Sequence, residues 1–322
     1  MSGAGNKLAF IVGHYKSGST WLVNLLSLHP DVRGVSETHV MRYSEPGADL
    51  ARCHDQMFTK VAWAGDGLSG IPRHRLAAWT RPVRKALGMA RGQATLSAQE
   101  RPTTALDLSI AAQLAFRGRL KECRDGDEFA RTFFAYLEDK LRPGRYLVEK
   151  TPTNMPYVPR IKALFPESKL LAVYRDGRDV VVSDKYHLAR QYGKEMSFEQ
   201  RIARWRDAME AQIRYTAEYG IHCVSYESLL ERPREVLPGL MDYLELSPSE
   251  ETVEDMIWRS SFEFVTGRKR GEGDSGQFYR KGVAGDWRNH YTDDEKQAFS
   301  ENAGDLLVAL GYEQDADWKA WA

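Results

Sequence analysis

The stretch "LAFIVGHYKSGSTWLVNLL", residues 8 to 26, leaves the chain few ways to fold. "LAFIVG" (8–13) is short, apolar and partly β-branched, which predicts a buried strand. The apolar residues of "WLVNLLSLHP" continue as a helix, so "GHYKSGST" (13–20) is the turn between the two. A glycine turn opening a helix offers backbone N–H groups and the positive end of the helix dipole to an anion. The loop that binds nucleoside triphosphates reads Gly, four residues, Gly, Lys, Ser or Thr. Gly13, Gly18 and Thr20 fit that spacing, but Ser19 holds the lysine's place and the lysine lies three residues early, at Lys16. The reading is a phosphate-ester loop that departs from the ATP pattern at its one charged position.

Three more short apolar runs share the strand-then-helix pattern: "YLVEK" (146–150), "KLLAVYR" (169–175) and "IHCVSY" (221–226). Repetition of this kind predicts an α/β fold with a central parallel sheet and helices on both faces. Ligands in such sheets sit at the carboxyl ends of the strands. That rule selects the opening loop, "EKTPTN", "YRDGRD" and "SYESLLERP". Between about 40 and 145 the strand signal disappears, "DEFARTFFAYLEDKL" has helical spacing, and "RPG" at 142–144 reads as its stop. This predicts a helical insertion, a lid over the site. Residues 67–99 hold Arg73, Arg75, Arg81, Arg84, Lys85 and Arg91 with no acid. They read either as a solvated helix face or as a surface for an acidic acceptor or lipid headgroup. The glycine-rich, basic segment 266–285 reads as a mobile loop. With no repeat and no clear linker, residues 1–322 read as a single domain.

Formal net charge is zero, from 45 basic and 45 acidic residues. That argues against binding nucleic acid through an overall field, so any anion site must be local. Cys53, Cys123 and Cys223 have no zinc or disulfide spacing, and three free thiols in a reducing compartment are expected. No run approaches the roughly 18 apolar residues of a membrane span. A soluble, cytoplasmic protein without a transmembrane segment is expected.

Cations recur at the other strand ends. Arg175 closes the third run, and Ser183 lies eight residues on, inside the next helix. An arginine and a hydroxyl so placed can grip a phosphate with charge-assisted hydrogen bonds. "FYRKGVAGDWRN" adds Arg280 and Lys281 beside Gly282, where backbone can approach an anion closely. A ligand with two separate phosphate ends suits this set better than a triphosphate.

"YKSGSTW" (15–21) resembles the "PKSGTTW" loop of sulfotransferases that use 3′-phosphoadenosine 5′-phosphosulfate, PAPS. The resemblance continues in order along most of the chain. It implies the P-loop-like sulfotransferase fold, transfer of a sulfuryl group to a hydroxyl or amine with release of PAP, and no metal. It implies that Lys16, Ser17, Gly18, Ser19, Thr20 and Trp21 bind the nucleotide, with Lys16, the loop N–H groups, Ser19 and Thr20 at its 5′-phosphate. "YRDGRDVVVS" is similar to the family's 3′-phosphate segment, which implies Arg175 and Ser183, and "RKGVAGDWRN" is similar to the late loop, which implies Arg280, Lys281 and Gly282. "SYESLLERP" and "SSFEF" resemble the nucleotide-lining segments, which suggests Tyr226 and Phe262.

The histidine base of the small-phenol enzymes, in a "KTH" segment, has no counterpart: Pro152 follows Lys150 and Thr151. "HPDVRGVSETH" (29–39) instead resembles the tyrosylprotein sulfotransferase segment "HPDVRCGEETR", which aligns Glu37 with that branch's base. The resemblance therefore implies Lys16, Glu37 and Lys150 as catalytic groups, Lys150 bracing the sulfuryl or bridging oxygen, with His39 and His187 as alternative bases. Acceptors could be small molecules, glycans, lipids, natural products or tyrosyl peptides. A P-loop kinase with an altered loop and a noncatalytic PAP or PAPS binder are the competing readings.

Overall fold

The computed structural model describes residues 7–54, 62–64, 105–107, 110–140, 146–192, 196–273, 279–315 and 318. Five strands form one parallel sheet: β1 (Lys7–Gly13), β2 (Val32–Ser36), β5 (Tyr146–Lys150), β6 (Lys169–Tyr174) and β7 (His222–Ser225), in the order β2-β5-β1-β6-β7. Two further strands, β3 (Ala62–Ala64) and β4 (Ala105–Asp107), form a separate two-stranded parallel pair among the described residues. Every neighbour in the large sheet is parallel, so each connection must cross over a face, and helices provide the crossings. The register opposes Ser36 to Lys150, Ile11 to Lys150 and Tyr174 to Ser225. The strands thus end together, and their loops emerge along one edge.

Alternation along the strands divides the core. Ala9, Ile11, Val148 and Leu171 face helix α1 (Ser19–Leu26), whose Leu22, Val23 and Leu26 are fully buried. Phe10, Val12, Val35 and Leu147 face the other way, onto Phe129, Phe133 and Phe134 of the helix Gly126–Lys140. A third cluster around Trp205, Phe299 and Trp287 joins the helices Gly177–Tyr192, Phe198–Tyr219 and Asp293–Ala309. Asp179, in the first turn of Gly177–Tyr192, accepts from the backbone N–H groups of Gly285 at 2.7 Å and Trp287 at 2.9 Å. It thereby fixes the late loop to the end of β6. No helix among the described residues is long and apolar enough to cross a membrane.

The four expected strands are present within a residue or so of their sequence limits, as β1, β5, β6 and β7. The fifth, β2, was not expected, because "VRGVS" interrupts its apolar pattern with Arg33 and Gly34. The insertion is helical at Val40–Tyr43, Ile110–Lys121 and Gly126–Lys140, but it also contains β3 and β4, so the expectation of no strands there is corrected. Arg73, Arg75, Arg81, Arg84, Lys85, Arg91 and the "RPG" stop lie outside the described residues. The described part of 266–285 is held rather than loose: the Arg268 guanidinium donates to the carbonyls of Glu272, Tyr279 and Arg280, and Gly271 N–H donates to Lys281 O at 2.9 Å.

His14 follows β1 directly and is buried. Its Nδ1–H donates to the Tyr15 carbonyl at 2.6 Å. Burial is the largest cause holding its pKa down to about 4; the bond to Tyr15 opposes the shift and the nearby Arg204 charge adds to it. Folding therefore favours neutral His14. The stability this contributes is fully present above the ordinary 6.5 and is lost as pH falls through about 4. His14→Asn, which keeps a donor for Tyr15 and does not titrate, should gain on the wild type by about 3 kcal/mol between pH 7.5 and pH 4 in urea unfolding. Parallel stability profiles for the two proteins would contradict this assignment.

Candidate active site

The loop after β1 is built from backbone conformations that most side chains avoid. Gly18 caps α1 at φ 103°, and a Cβ there would lie 2.7 Å from the Tyr226 ring. Lys16 sits at φ 65° without being glycine, a conformation that costs free energy and persists only where the surroundings enforce it. Glu37 and His39, just beyond β2, are also left-handed, at φ 55° and 53°. Three of the four non-glycine residues with positive φ among the described residues therefore stand at this edge of the sheet.

A cavity of about 430 Å³ opens there. Lys16, Gly18, Ser19, Thr20, Trp21, Glu37 and His39 line it from one side. Arg175, Ser183, Tyr226, Phe262, Arg280, Lys281 and Gly282 line it from the other. Ser17 and Lys150 do not form its wall: Ser17 is fully buried, and Lys150 reaches the site through hydrogen bonds. The His187 side chain lies outside the described residues. Sequence reading missed other lining groups, among them Tyr15, Ser260, Arg270 and Tyr279. Tyr279 directly precedes the basic pair and accepts a hydrogen bond from Asn24 of α1 at 2.8 Å, so it ties the late loop to the phosphate-loop helix. Burial pushes its phenol up to about 12.

Arg175 is nearly buried at the end of β6. Its guanidinium lies 4.3 Å from the centre of the Tyr226 ring and donates to Val283 O at 2.9 Å, to Asp179 at 3.3 Å and to Lys16 O at 3.4 Å. One arginine thus joins the first loop, the helix after β6 and the late loop. Arg280 and Lys281 converge on Asp286, at 2.7 and 2.8 Å. Burial works against the charge of Asp286, but hydrogen bonds from Lys281, Asn289, Arg280 and His290 hold its carboxyl far below the usual range. Gly282, at φ 64°, is pressed against Phe262, where a Cβ would come within 2.4 Å of the ring.

Among the buried side-chain atoms that make no hydrogen bond within the described residues are Ser17 Oγ in the first loop and Arg175 Nε at the end of β6. Buried donors normally have partners. Arg175 lines the cavity, and Ser17 lies between Lys16 and Gly18, which also line it. No group of three His, Cys, Asp or Glu placed to hold a metal ion occurs among the described residues.

At the opposite end of the cavity, the Lys150 ammonium donates to Glu37 Oε1 at 2.8 Å and to Thr20 Oγ1 at 3.2 Å. Lys150 is buried while the Glu37 side chain is 45% exposed, so the carboxylate reaches the cavity and its counter-ion stays behind it. The Glu37 N–H also donates to Lys150 O at 2.6 Å, continuing the β2–β5 ladder one residue past the strand. An exposed carboxylate on a fixed cation, facing a cavity, can accept a proton from a bound hydroxyl.

Comparison with known proteins converges on one family. The family profile described as "Sulfotransferase family" matches residues 9–250. Sulfotransferase 1 family member D1 of Rattus norvegicus is 26% identical over 158 residues, covering 42% of this chain and 54% of that protein. The chain thus spans about half the length of that relative. Sulfotransferase 1E1 of Rattus norvegicus is 25% identical over 220 residues, with 58% and 73% covered. Among solved structures, the sulfotransferase domain from the Synechococcus PCC 7002 olefin synthase superposes with a TM-score of 0.55 at 18% identity, covering 94% of this chain and 97% of that one. Mouse sulfotransferase SULT7A1 complexed with PAP gives a TM-score of 0.51 at 14% identity, with 98% and 89% covered. These structures share the fold, and the profile spans the sheet from β1 to β7: the chain belongs to the sulfotransferase family.

Proposed function

We propose that this chain transfers the sulfuryl group of PAPS to an acceptor hydroxyl and releases PAP, with residues 1–322 acting as one domain. The observation that carries the reading is the single cavity in which the Lys16 loop, Arg175 with Ser183, and Arg280 with Lys281 and Gly282 face one another. Such an arrangement suits a nucleotide phosphorylated at both the 5′ and 3′ ends. The acceptor is a small molecule, a glycan, a lipid or a tyrosyl peptide, and we place the reaction in the cytoplasm.

Bound in the cavity, PAPS supplies an activated sulfuryl group, and the remaining work is positioning and charge stabilisation. The N–H groups of the 13–20 loop, with Ser19 and Thr20, hold the 5′-phosphate, and Trp21, Tyr226 and Phe262 enclose the nucleoside. Arg175, Ser183, Arg280, Lys281 and Gly282 hold the 3′-phosphate. Lys16 neutralises the charge left on the 5′-phosphate as its bond to sulfur breaks. Glu37 takes the proton of the acceptor hydroxyl as the new oxygen–sulfur bond forms. Lys150 aims Glu37, a role in which it acts on the base and on Thr20 instead of lying in the cavity wall. Incubation with PAPS and a panel of phenols, sterols, sugars and tyrosyl peptides should produce PAP together with a sulfated acceptor. PAP binding without any sulfated product would favour the noncatalytic reading.

Arg175→Gln tests the 3′-phosphate assignment, because the amide keeps a donor for Val283 O and loses the charge. PAP affinity should fall by about 1.5–3 kcal/mol, the scale of a charged hydrogen bond, while affinity for adenosine 5′-phosphate hardly changes. Equal losses for both nucleotides would move Arg175 out of that subsite. Glu37→Gln tests the base: kcat should fall about 10²- to 10⁴-fold with an alcohol acceptor, and less with an acidic phenol that ionises by itself. A defect below about threefold with alcohols would shift the role to His39 or His187.

A further inference from the structure

Glu149 precedes Lys150 in β5 and is fully buried. Strand alternation sends the two neighbours to opposite faces of the sheet. Lys150 points toward α1 and bonds Thr20. Glu149 points toward the turn Pro152–Tyr157 and the segment after β2. Its Oε1 accepts from Thr38 Oγ1 at 2.8 Å, Thr38 N at 3.3 Å and Thr151 Oγ1 at 2.5 Å, and its Oε2 accepts from Asn154 Nδ2 at 3.1 Å. A carboxylate completely withdrawn from water is costly unless its lone pairs are matched, and here four donors match them.

The donors are not scattered. Thr38 lies between Glu37 and His39, both held in the left-handed region, and Thr151 follows Lys150. The bonds therefore bracket the two turns that carry the exposed carboxylate and its buried counter-ion. Resting on the functional reading above, we propose that Glu149 is the positioning residue for both groups: its carboxylate ties the turn after β2 to the turn after β5 and so seats Glu37 on Lys150. It touches neither the cavity nor the reacting atoms. Burial is the largest cause raising its pKa, to about 7, and the bonds from Thr151 and Thr38 and the Lys150 charge oppose that rise.

The claim is tested by a double-mutant cycle on stability, which needs no acceptor. Glu37→Gln leaves the buried ammonium with a neutral acceptor in place of its counter-charge, so in the wild-type background it should raise the unfolding equilibrium constant about tenfold. In the Glu149→Gln background, where the carboxylate is no longer seated, the same change should cost less than about twofold. A residue that only supported the fold would lower stability without altering the cost of Glu37→Gln. Should Glu149→Gln fail to fold, Thr38→Val removes one arm of the bracket and should also reduce the coupling, whereas Thr38→Ser, which keeps the hydroxyl, should restore it. Equal costs of Glu37→Gln in the two backgrounds, or in Thr38→Val and Thr38→Ser, overturn the proposal. In turnover, Glu149→Gln should lower kcat about 10- to 100-fold with PAP affinity within about twofold; an undiminished kcat also overturns it. Absence of wild-type turnover with every acceptor would sink the sulfuryl-transfer reading alone, and the stability cycle would still decide this one.

Discussion

Gathering cations in a half-buried space is unfavourable unless anions meet them, and the carboxyl edge of this sheet gathers Lys16, Arg175, Arg270, Arg280 and Lys281 around one cavity. The chain answers with acids set behind the cations. Asp179 takes Arg175 and the late-loop backbone, Asp286 takes Arg280 and Lys281, and carbonyls of Lys16 and Val283 take the rest of Arg175. These acids fix where the cations stand while leaving their cavity-facing sides for a ligand. The opposite end inverts the arrangement, with the cation Lys150 buried and the anion Glu37 exposed. One end is thus suited to hold negative charge and the other to remove a proton.

That division follows from topology. Parallel strands ending in register put five loops along one edge, and β1, between β5 and β6, places its glycine loop in the middle. Loops on the β2–β5 side then bring Glu37 and Lys150, and loops on the β6–β7 side bring Arg175 and Tyr226. Crevices at such switch points are where ligands bind in sheets of this class. Alternation within β5 adds a second layer, with Lys150 serving the α1 face and Glu149 the other.

The sequence was most legible where one local pattern decides the structure. "LAFIVG", "YLVEK" and "KLLAVY" are apolar enough to read as buried strands, and Gly13, Gly18 and Thr20 keep the spacing of a phosphate loop although Lys16 departs from it. It was least legible where distant residues decide. "VRGVS" becomes β2 because β5 offers it a ladder, although Arg33 and Gly34 disguise it. Glu149 reads as the polar end of a strand, and its burial depends on Thr38, 111 residues earlier. Segment 266–285 has the composition of a loose loop, yet Arg268 folds it back on its own carbonyls and Tyr279 is held by Asn24. Composition reports none of these pairings.

The central claim is that the cavity is shaped for a nucleotide with phosphate at both its 5′ and 3′ ends. Isothermal titration in EDTA with PAP and adenosine 5′-phosphate, and with ATP in magnesium, addresses it most directly. The account predicts that PAP binds without metal and at least about tenfold more tightly than either competitor, a margin of about one charge-assisted hydrogen bond. Tighter binding of ATP with magnesium, or PAP binding no better than adenosine 5′-phosphate, would contradict it.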